Sequence, residues 1–219
     1  SGTTNALLEI SGMLFSGDNA AAATKIESLR KRYHDVINEL FEKKDTKRQA
    51  SGIVDEHFNF ISDFLNGIFS KMHEKIIVSR GEIISTTLFY LLLQEMNIKS
   101  ALISALNFMR IDKYGEPDLF YITENLNREL NNYPDYNIII TQGFICRNSF
   151  GEIDNLKRGG SDYTASLVGA AVGASEIQIW TDINGFHNND PRYVQNTFPV
   201  RELSFDEAAE LAYFGAKIL

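Results

Sequence analysis

Cysteine is almost missing from this sequence, since Cys146 is the only one among its 219 residues. A single thiol excludes an intramolecular disulfide and fits a protein of a reducing compartment. Histidine is also scarce, with four residues, and the sequence contains no Cys/His cluster of the kind that holds a structural zinc. A disulfide framework and a structural zinc site are therefore both unexpected.

Long apolar runs and an excess of basic residues are missing as well. No apolar run is long enough to span a bilayer and no signal peptide is visible, which predicts a cytoplasmic protein without a membrane partner. The 29 acidic and 21 basic residues give a net charge of −8, which argues against a nucleic-acid-binding surface. The remaining composition, with 44% hydrophobic and 23% charged residues, is ordinary for one large globular domain or two small ones.

The most informative stretch lies between residues 157 and 192 and combines a glycine turn, a helix and a strand. Glycines let the backbone pass close to a ligand, and a helix that begins there points unpaired N–H groups at an anion. An apolar strand pattern over 176–180 ends in polar residues, at an edge where α/β sheets bind ligands. An ordinary helix start, with Ser161 as the cap and Asp162 beside the helix dipole, is the alternative for the glycine turn.

Helix patterns and apolar strand patterns alternate along the chain, which predicts an α/β fold. We expect a three-layer αβα sandwich with a mostly parallel sheet and helices on both faces. Strands are predicted over 98–106, 136–141 and 176–180, with a hairpin or lid loop over 149–154. Helices are predicted after a cap at Thr4 or Asn5, over 18–50, 52–72, 83–96, 118–132 and 165–174, and after a capping box of Ser204 and Glu207.

Glu82 has two interpretations on the residues alone. It falls in the first turn of the helix predicted over 83–96, where an acidic side chain can stabilise the helix dipole. A carboxylate at that place could equally recognise an amine of a ligand.

Four spaced segments, in the right order, resemble the sequence pattern of the aspartokinases in the amino-acid kinase family. The resemblance covers nearly the whole chain, which makes it far more specific than a lone glycine-rich loop. The matching residues are Ser79-x-Gly81-Glu82; Gly143-Phe144-Ile145; Arg158 to Tyr163 with Trp180-Thr181-Asp182, Gly185 and Asp190-Pro191-Arg192; and Phe214 to Leu219.

The resemblance implies an enzyme that transfers the γ-phosphoryl group of ATP to the β-carboxylate of L-aspartate, giving 4-phospho-L-aspartate for lysine, threonine and methionine biosynthesis. Mg²⁺ is expected because ATP arrives with it. By the same resemblance, Glu82 would bind the ammonium group of aspartate and Arg158 a carboxylate, with Thr4, Gly160 and Ser161 as further substrate contacts. Asp162 and Lys217 would be catalytic, and the nucleotide would be bound by Gly159, Thr181, Asp182, His187, Arg192 and Lys217.

Three departures from the family pattern stand out. Lys157 occupies the place of a glycine, and it either changes the freedom of the turn or adds a cation. His187 stands where many members have a tyrosine near adenine, so it could stack on the base or be an exposed loop residue. The chain begins with Ser1-Gly2-Thr3-Thr4-Asn5, whereas the resemblance implies a preceding strand ending in Lys-Phe-Gly-Gly-Thr. Without the lysine of that strand, the chain by itself is expected to be nearly inactive.

The resemblance also implies a domain organisation, and two alternative functions remain open. Residues 1–219 would form one catalytic domain that lacks the first strand and the C-terminal regulatory domains, with an inserted helical subdomain at about 18–72. The full-length protein is expected to be a homo-oligomer. The rivals are another amino-acid kinase, acting on uridylate, glutamate or acetylglutamate, and a domain that binds nucleotide or effector without turnover.

Overall fold

The computed structural model describes residues 2–157, 159–180, 185–190 and 193–214, which form two compact units, Ser1–Ala174 and Ser175–Leu219. In the first unit, short 3₁₀ turns at Asp63–Asn66 and Ala105–Asn107 connect longer elements. The helices and strands are α1 (Thr3–Ser16), α2 (Asn19–Leu40), α3 (Lys44–Ser62), α4 (Lys71–Glu95), β1 (Ser100–Leu102), α5 (Leu119–Leu130), β2 (Ile138–Ile140), β3 (Ile145–Arg147), β4 (Ile153–Asn155), α6 (Gly160–Val172) and, in the second unit, α7 (Phe205–Tyr213).

Helices α1 to α4 pack around one buried hydrophobic cluster. The cluster excludes water from apolar residues that recur at intervals of three and four residues along each helix, such as Ile26, Leu29 and Ile37 of α2. The single helix predicted over 18–50 is wrong, because the chain leaves the helix at Phe41, which is extended and buried. The break is fixed by the Glu95 carboxylate, which accepts the backbone N–H of Glu42 at 2.7 Å.

Helix α4 begins twelve residues earlier than the sequence pattern predicts, at Lys71 instead of 83. The backbone N–H of Ser70 donates to Nδ1 of His73 at 3.1 Å, which closes the first turn. Glu82 therefore lies in the middle of α4, so the prediction that it sits in a first turn is wrong, and with it the helix-dipole interpretation.

Helix α1 begins at Thr3, after Gly2 in the left-handed region, so the predicted caps Thr4 and Asn5 are wrong and both lie inside the helix. It crosses α4 closely at Gly81, where a Cβ atom would lie 3.1 Å from Cδ1 of Leu7. Of the described helices, α4 is the one that is long and apolar enough to cross a membrane by length and composition, contrary to the expectation of no such run. Some of its apolar side chains, including Ile77 and Leu88, are buried in the helical cluster, whereas Phe89 is 51% exposed.

The strands form two small sheets, which confirm the α/β fold class. β1 and β2 run parallel, with Ala101 opposite Ile139, as the predicted strands over 98–106 and 136–141 require. β3 and β4 form an antiparallel hairpin that turns at Gly151, so the hairpin prediction is confirmed. A second buried cluster packs α5 and α6 against these strands.

The second unit contains α7, whose capping box is confirmed. The backbone N–H of Ser204 donates to Glu207 Oε2 at 2.8 Å, and the backbone N–H of Glu207 donates to Ser204 Oγ at 3.3 Å. The strand predicted over 176–180 is wrong, because no described residue pairs its N–H and C=O groups with that segment.

Candidate functional site

Residues from four separate parts of the sequence line one cleft of about 230 Å³, here called the α4–α6 cleft. Helix α1 contributes Thr4, helix α4 contributes Glu82, and the segment between β2 and β3 contributes Phe144. The turn that precedes α6 and the first turn of that helix contribute the rest. The full lining is Thr4, Glu82, Phe144, Lys157, Gly159, Gly160 and Ser161.

Five of the predicted substrate and nucleotide residues are therefore brought together in this cleft: Thr4, Glu82, Gly159, Gly160 and Ser161. Arg158 lies outside the described residues, although its two neighbours in the chain, Lys157 and Gly159, both line the cleft. Asp162 follows Ser161 in the first turn of α6 and is half-buried.

The beginning of α6 has the geometry of an anion site. Gly159 precedes the helix with a φ of 76°, in the left-handed region that suits glycine, and no side chain caps the first turn. Ser161 is thus a first-turn residue, and its predicted alternative role as the cap is wrong. The N–H groups of an uncapped first turn carry the positive end of the helix dipole, which favours a carboxylate or a phosphate.

Two glycines allow the close packing that positions α6. A Cβ atom on Gly143 would lie 3.0 Å from the Cα atom of Ser161, and a Cβ on Gly160 would lie 3.0 Å from both Leu156 and Phe144. Both distances are shorter than ordinary carbon contacts, so a larger residue at either place would move the turn.

Thr164 ties the same turn to the strand side of the fold. The Thr164 hydroxyl donates to the Gly160 carbonyl at 2.7 Å and accepts the backbone N–H of Phe144 at 3.1 Å. The sequence pattern assigns no role to Gly143 or to Thr164. Gly143 belongs to the Gly-Phe-Ile segment, but its contact with Ser161 is tertiary and leaves no local signal in the sequence.

Glu82 faces the glycine turn across the cleft. The side chain is half-buried, and desolvation raises the pKa of its carboxyl group. No hydrogen bond or ion pair of this carboxylate is made to the residues that the structure describes. A half-buried carboxylate without such a partner is suited to bind a cationic group of a ligand.

An ion pair joins α4 to the hairpin next to this cleft. Nζ of Lys75 lies 2.6 Å from Oδ2 of Asp154, and the two side chains are 39% and 13% exposed. Lys75 also lines a second cleft of about 660 Å³, which shares Thr4, Phe144 and Lys157 with the first. Because Lys75 and Glu82 are seven residues apart, both lie on one face of α4.

Apart from Gly159, the predicted nucleotide residues belong to the second unit. Thr181, Asp182, Arg192 and Lys217 lie outside the described residues. His187 is half-buried, with Nδ1 3.2 Å from the Thr197 hydroxyl and a backbone bridge to Pro199. The alternative of an exposed loop histidine is therefore wrong, while its stacking on adenine stays a prediction.

A comparison with protein families decides the classification. The model of the amino acid kinase family matches residues 2–219. The chain belongs to the amino acid kinase family.

Among curated proteins, this amino acid kinase is similar to aspartokinases. Lysine-sensitive aspartokinase 3 of Escherichia coli (strain K12) is 41% identical over 146 residues, which cover 65% of this chain and 32% of that protein. Bifunctional aspartokinase/homoserine dehydrogenase 2 of the same organism is 30% identical over 223 residues, covering 99% and 27%. The matched segments thus span 32% and 27% of the length of these relatives.

Solved structures support the same assignment and confirm the fold expected of the family. E. coli aspartokinase III in complex with lysine and aspartate matches with a TM-score of 0.80 and 31% identity, covering 100% of this chain and 49% of that chain. The same enzyme in complex with aspartate and ADP matches with a TM-score of 0.79 and 30% identity, covering 96% and 48%.

Membership in a kinase family implies the use of a nucleotide. The uncapped start of α6 fits the phosphate chemistry of such a ligand, because its N–H groups have no side-chain acceptor. Within residues 2–157, 159–180, 185–190 and 193–214, no group of three or more His, Cys, Asp or Glu side chains could hold a metal ion.

Proposed function

We propose that this chain is the catalytic part of an aspartate kinase, which transfers the γ-phosphoryl group of ATP to the β-carboxylate of L-aspartate. The observation that carries the proposal is the convergence of Thr4, Glu82 and the turn at 159–161 on one small cleft. These residues are far apart in the sequence, so their meeting is a property of the fold. Similarity to aspartokinases, one of them solved with aspartate and ADP, supports the choice of substrates.

Phosphoryl transfer asks a protein mainly for positioning and for charge neutralisation. In the proposed complex, Glu82 accepts hydrogen bonds from the ammonium group of aspartate, and the guanidinium of Arg158 binds a carboxylate through two parallel bonds. Thr4 and Ser161 add hydroxyl contacts. Gly159 and Gly160 let the backbone of the turn approach the transferring phosphoryl group, since no Cβ atom stands in the way.

Residues of the second unit would supply most of the contacts to the nucleotide. Thr181, Asp182, His187 and Arg192 would bind ATP, and Lys217 would neutralise phosphate charge. Asp162 would orient cationic groups around the phosphates, and Mg²⁺ bound to ATP would neutralise the developing charge. No side chain of the chain is proposed as a direct metal ligand.

We also propose that residues 1–219 act as one catalytic domain, in which α2 and α3 are the helical insertion predicted at about 18–72. The enzyme works in the cytoplasm, and the full-length protein is a homo-oligomer.

Aspartate-dependent release of ADP by the full-length protein tests the proposal, with trapping of the acyl phosphate by hydroxylamine as the product assay. We expect Glu82→Gln to raise the KM for aspartate about a hundredfold, because a partner of the substrate ammonium is lost. Glu39→Gln, which changes an exposed glutamate of α2, is the matched control and should leave KM unchanged.

The same assay addresses the rivals. Turnover with uridylate, glutamate or acetylglutamate, and none with aspartate, would assign the chain to another activity of the amino acid kinase family. Nucleotide binding without turnover on any of these acceptors would refute the proposal in favour of a binding domain.

A further inference from the structure

Lys157 combines features that its place in the turn does not explain. Its backbone has a φ of 63°, in the left-handed region where an L side chain costs conformational energy that glycine would avoid. Lys157 is exposed, and the residue lines both the α4–α6 cleft and the second cleft. Its ammonium makes no ion pair or hydrogen bond with any residue of the described ranges.

The main chain of Lys157 is held on both sides. Its N–H donates to Oδ1 of Asn155 at 3.2 Å, and its carbonyl accepts the N–H of Gly160 at 3.1 Å. The turn therefore keeps the left-handed conformation in place, while the side chain stays available at the cleft. Strain of this kind persists where the surroundings enforce it, and it accompanies functional positions.

The charges around the α4–α6 cleft are complementary to a zwitterion. Glu82 places a half-buried carboxylate on the wall formed by α4, and Lys157 places a cation on the wall formed by the turn. Neither group is neutralised by a described residue. In a ligand with one ammonium and two carboxylates, the ammonium would bind Glu82 and one carboxylate would bind Arg158. The second carboxylate would then need a further cation, which Lys157 supplies.

We propose that the ammonium of Lys157 binds the side-chain carboxylate of the amino acid in this cleft, so that Lys157 helps to select a dicarboxylic substrate. The inference rests on the proposed function and adds a residue to it. The contact is made in the bound state before transfer, so it lowers KM for the amino acid. The same carboxylate attacks the γ-phosphoryl group, so kcat is expected to change as well and KM for the amino acid is the deciding quantity.

Steady-state kinetics of the full-length protein test this with four variants. Lys157→Met should raise the KM for aspartate about tenfold, as expected for one charge-assisted contact, and should leave the KM for ATP within about twofold. Lys157→Arg keeps the charge and should stay within about threefold of the wild-type KM. Lys31→Met removes an exposed lysine of α2 that lines neither cleft, and it should change nothing.

Lys157→Gly separates binding from structure. Glycine relaxes the left-handed turn, so the melting temperature should rise by about 2–4 °C while the KM for aspartate rises as in Lys157→Met. An unchanged KM in the Met and Gly variants would overturn the inference, and so would an effect confined to kcat or to the KM for ATP. A wild-type protein that does not phosphorylate aspartate would refute the proposed function itself, and this inference with it.

Discussion

Glu82 is the residue in which substrate binding and stability are expected to conflict. Its pKa is raised above the ordinary value of 4.5 by desolvation, so the folded protein holds its proton more tightly than the unfolded chain does. The stabilising contribution of this group is therefore complete below the unfolded pKa and is lost as the pH rises through the folded pKa.

We expect Glu82→Gln to unfold at a higher temperature than the wild type at pH 8, by about 1–2 °C, and to show no such gain at pH 4. The amide avoids the cost of an ionised carboxylate in a half-buried place. Thermal unfolding at both pH values, with Glu39→Gln as the exposed control, measures the difference. A lower melting temperature of Glu82→Gln at pH 8 would mean that the carboxylate has a stabilising partner in the unliganded protein.

Cys146 is a residue whose thiol reactivity is suppressed by the fold. The side chain is fully buried in β3, and burial, with a smaller contribution from the charge of Asp154, raises its pKa to about 12. At pH 8 a thiol-specific disulfide reagent should react with the native protein at least about a hundredfold more slowly than with protein unfolded in urea, since the thiolate is the reactive form. Rapid labelling of native protein, at a rate independent of added denaturant, would contradict this environment.

At the scale of elements, the approach of the 142–144 segment to α6 depends on the absence of a side chain at Gly143. We expect Gly143→Ala to destabilise the protein by about 1–3 kcal/mol, because its Cβ would meet the backbone and side chain of Ser161 at 3.0 Å. Moving the first turn of α6 should also lower kcat/KM for aspartate. Urea unfolding and steady-state kinetics measure the two effects.

Gly52→Ala is the matched control for this substitution. Gly52 is exposed in the middle of α3, and a Cβ atom there would meet nothing within 4 Å. Alanine should therefore stabilise α3 by up to about 1 kcal/mol through its helix propensity and leave activity unchanged. Equal effects of the two substitutions would show that the contact with Ser161 does not restrict the turn.

Some of the helices and strands could be predicted from the sequence, and others could not. Helix α5 and the parallel pair β1–β2 were predictable because apolar periodicity and buried strand runs are local signals. Helix α6 was predicted over 165–174 but begins five residues earlier, at Gly160. The break after Leu40 was not predictable, since Phe41 continues the apolar pattern and the groups that hold the break come from Glu95, more than fifty residues away. The start of α4 was hidden by Ile76, Ile77 and Val78, whose branched side chains resemble a strand.

The candidate site was predictable in its residue types but not in its geometry. The glycine turn and the carboxylate of Glu82 were identified from the sequence, and they line one cleft. The left-handed backbone of Lys157 and the close packing at Gly143 were not, because both depend on contacts with segments distant in the sequence or on the conformation of a neighbour.

At the scale of the whole molecule, the two units differ in how much core each contains. Both buried hydrophobic clusters lie within the first unit, Ser1–Ala174. Among the described residues of the second unit, Asp190 is the one that is buried, and aromatic side chains such as Trp180 and Phe205 are 89% and 97% exposed. Burial of apolar surface is the main source of folding free energy, so the first unit should be stable by itself and the second should not.

We therefore expect a fragment of residues 1–174 to unfold in urea as one cooperative transition, and a peptide of residues 175–219 to be largely unfolded in water. Helix α7 has nine residues, and an isolated helix of that length is too short to be stable without tertiary packing. Circular dichroism of both pieces, with the intact chain as the reference, measures their helix content and cooperativity. A sigmoidal urea transition of the 175–219 peptide would contradict the prediction. Where the structure describes this segment it buries no apolar side chain, and cooperative unfolding requires such a core.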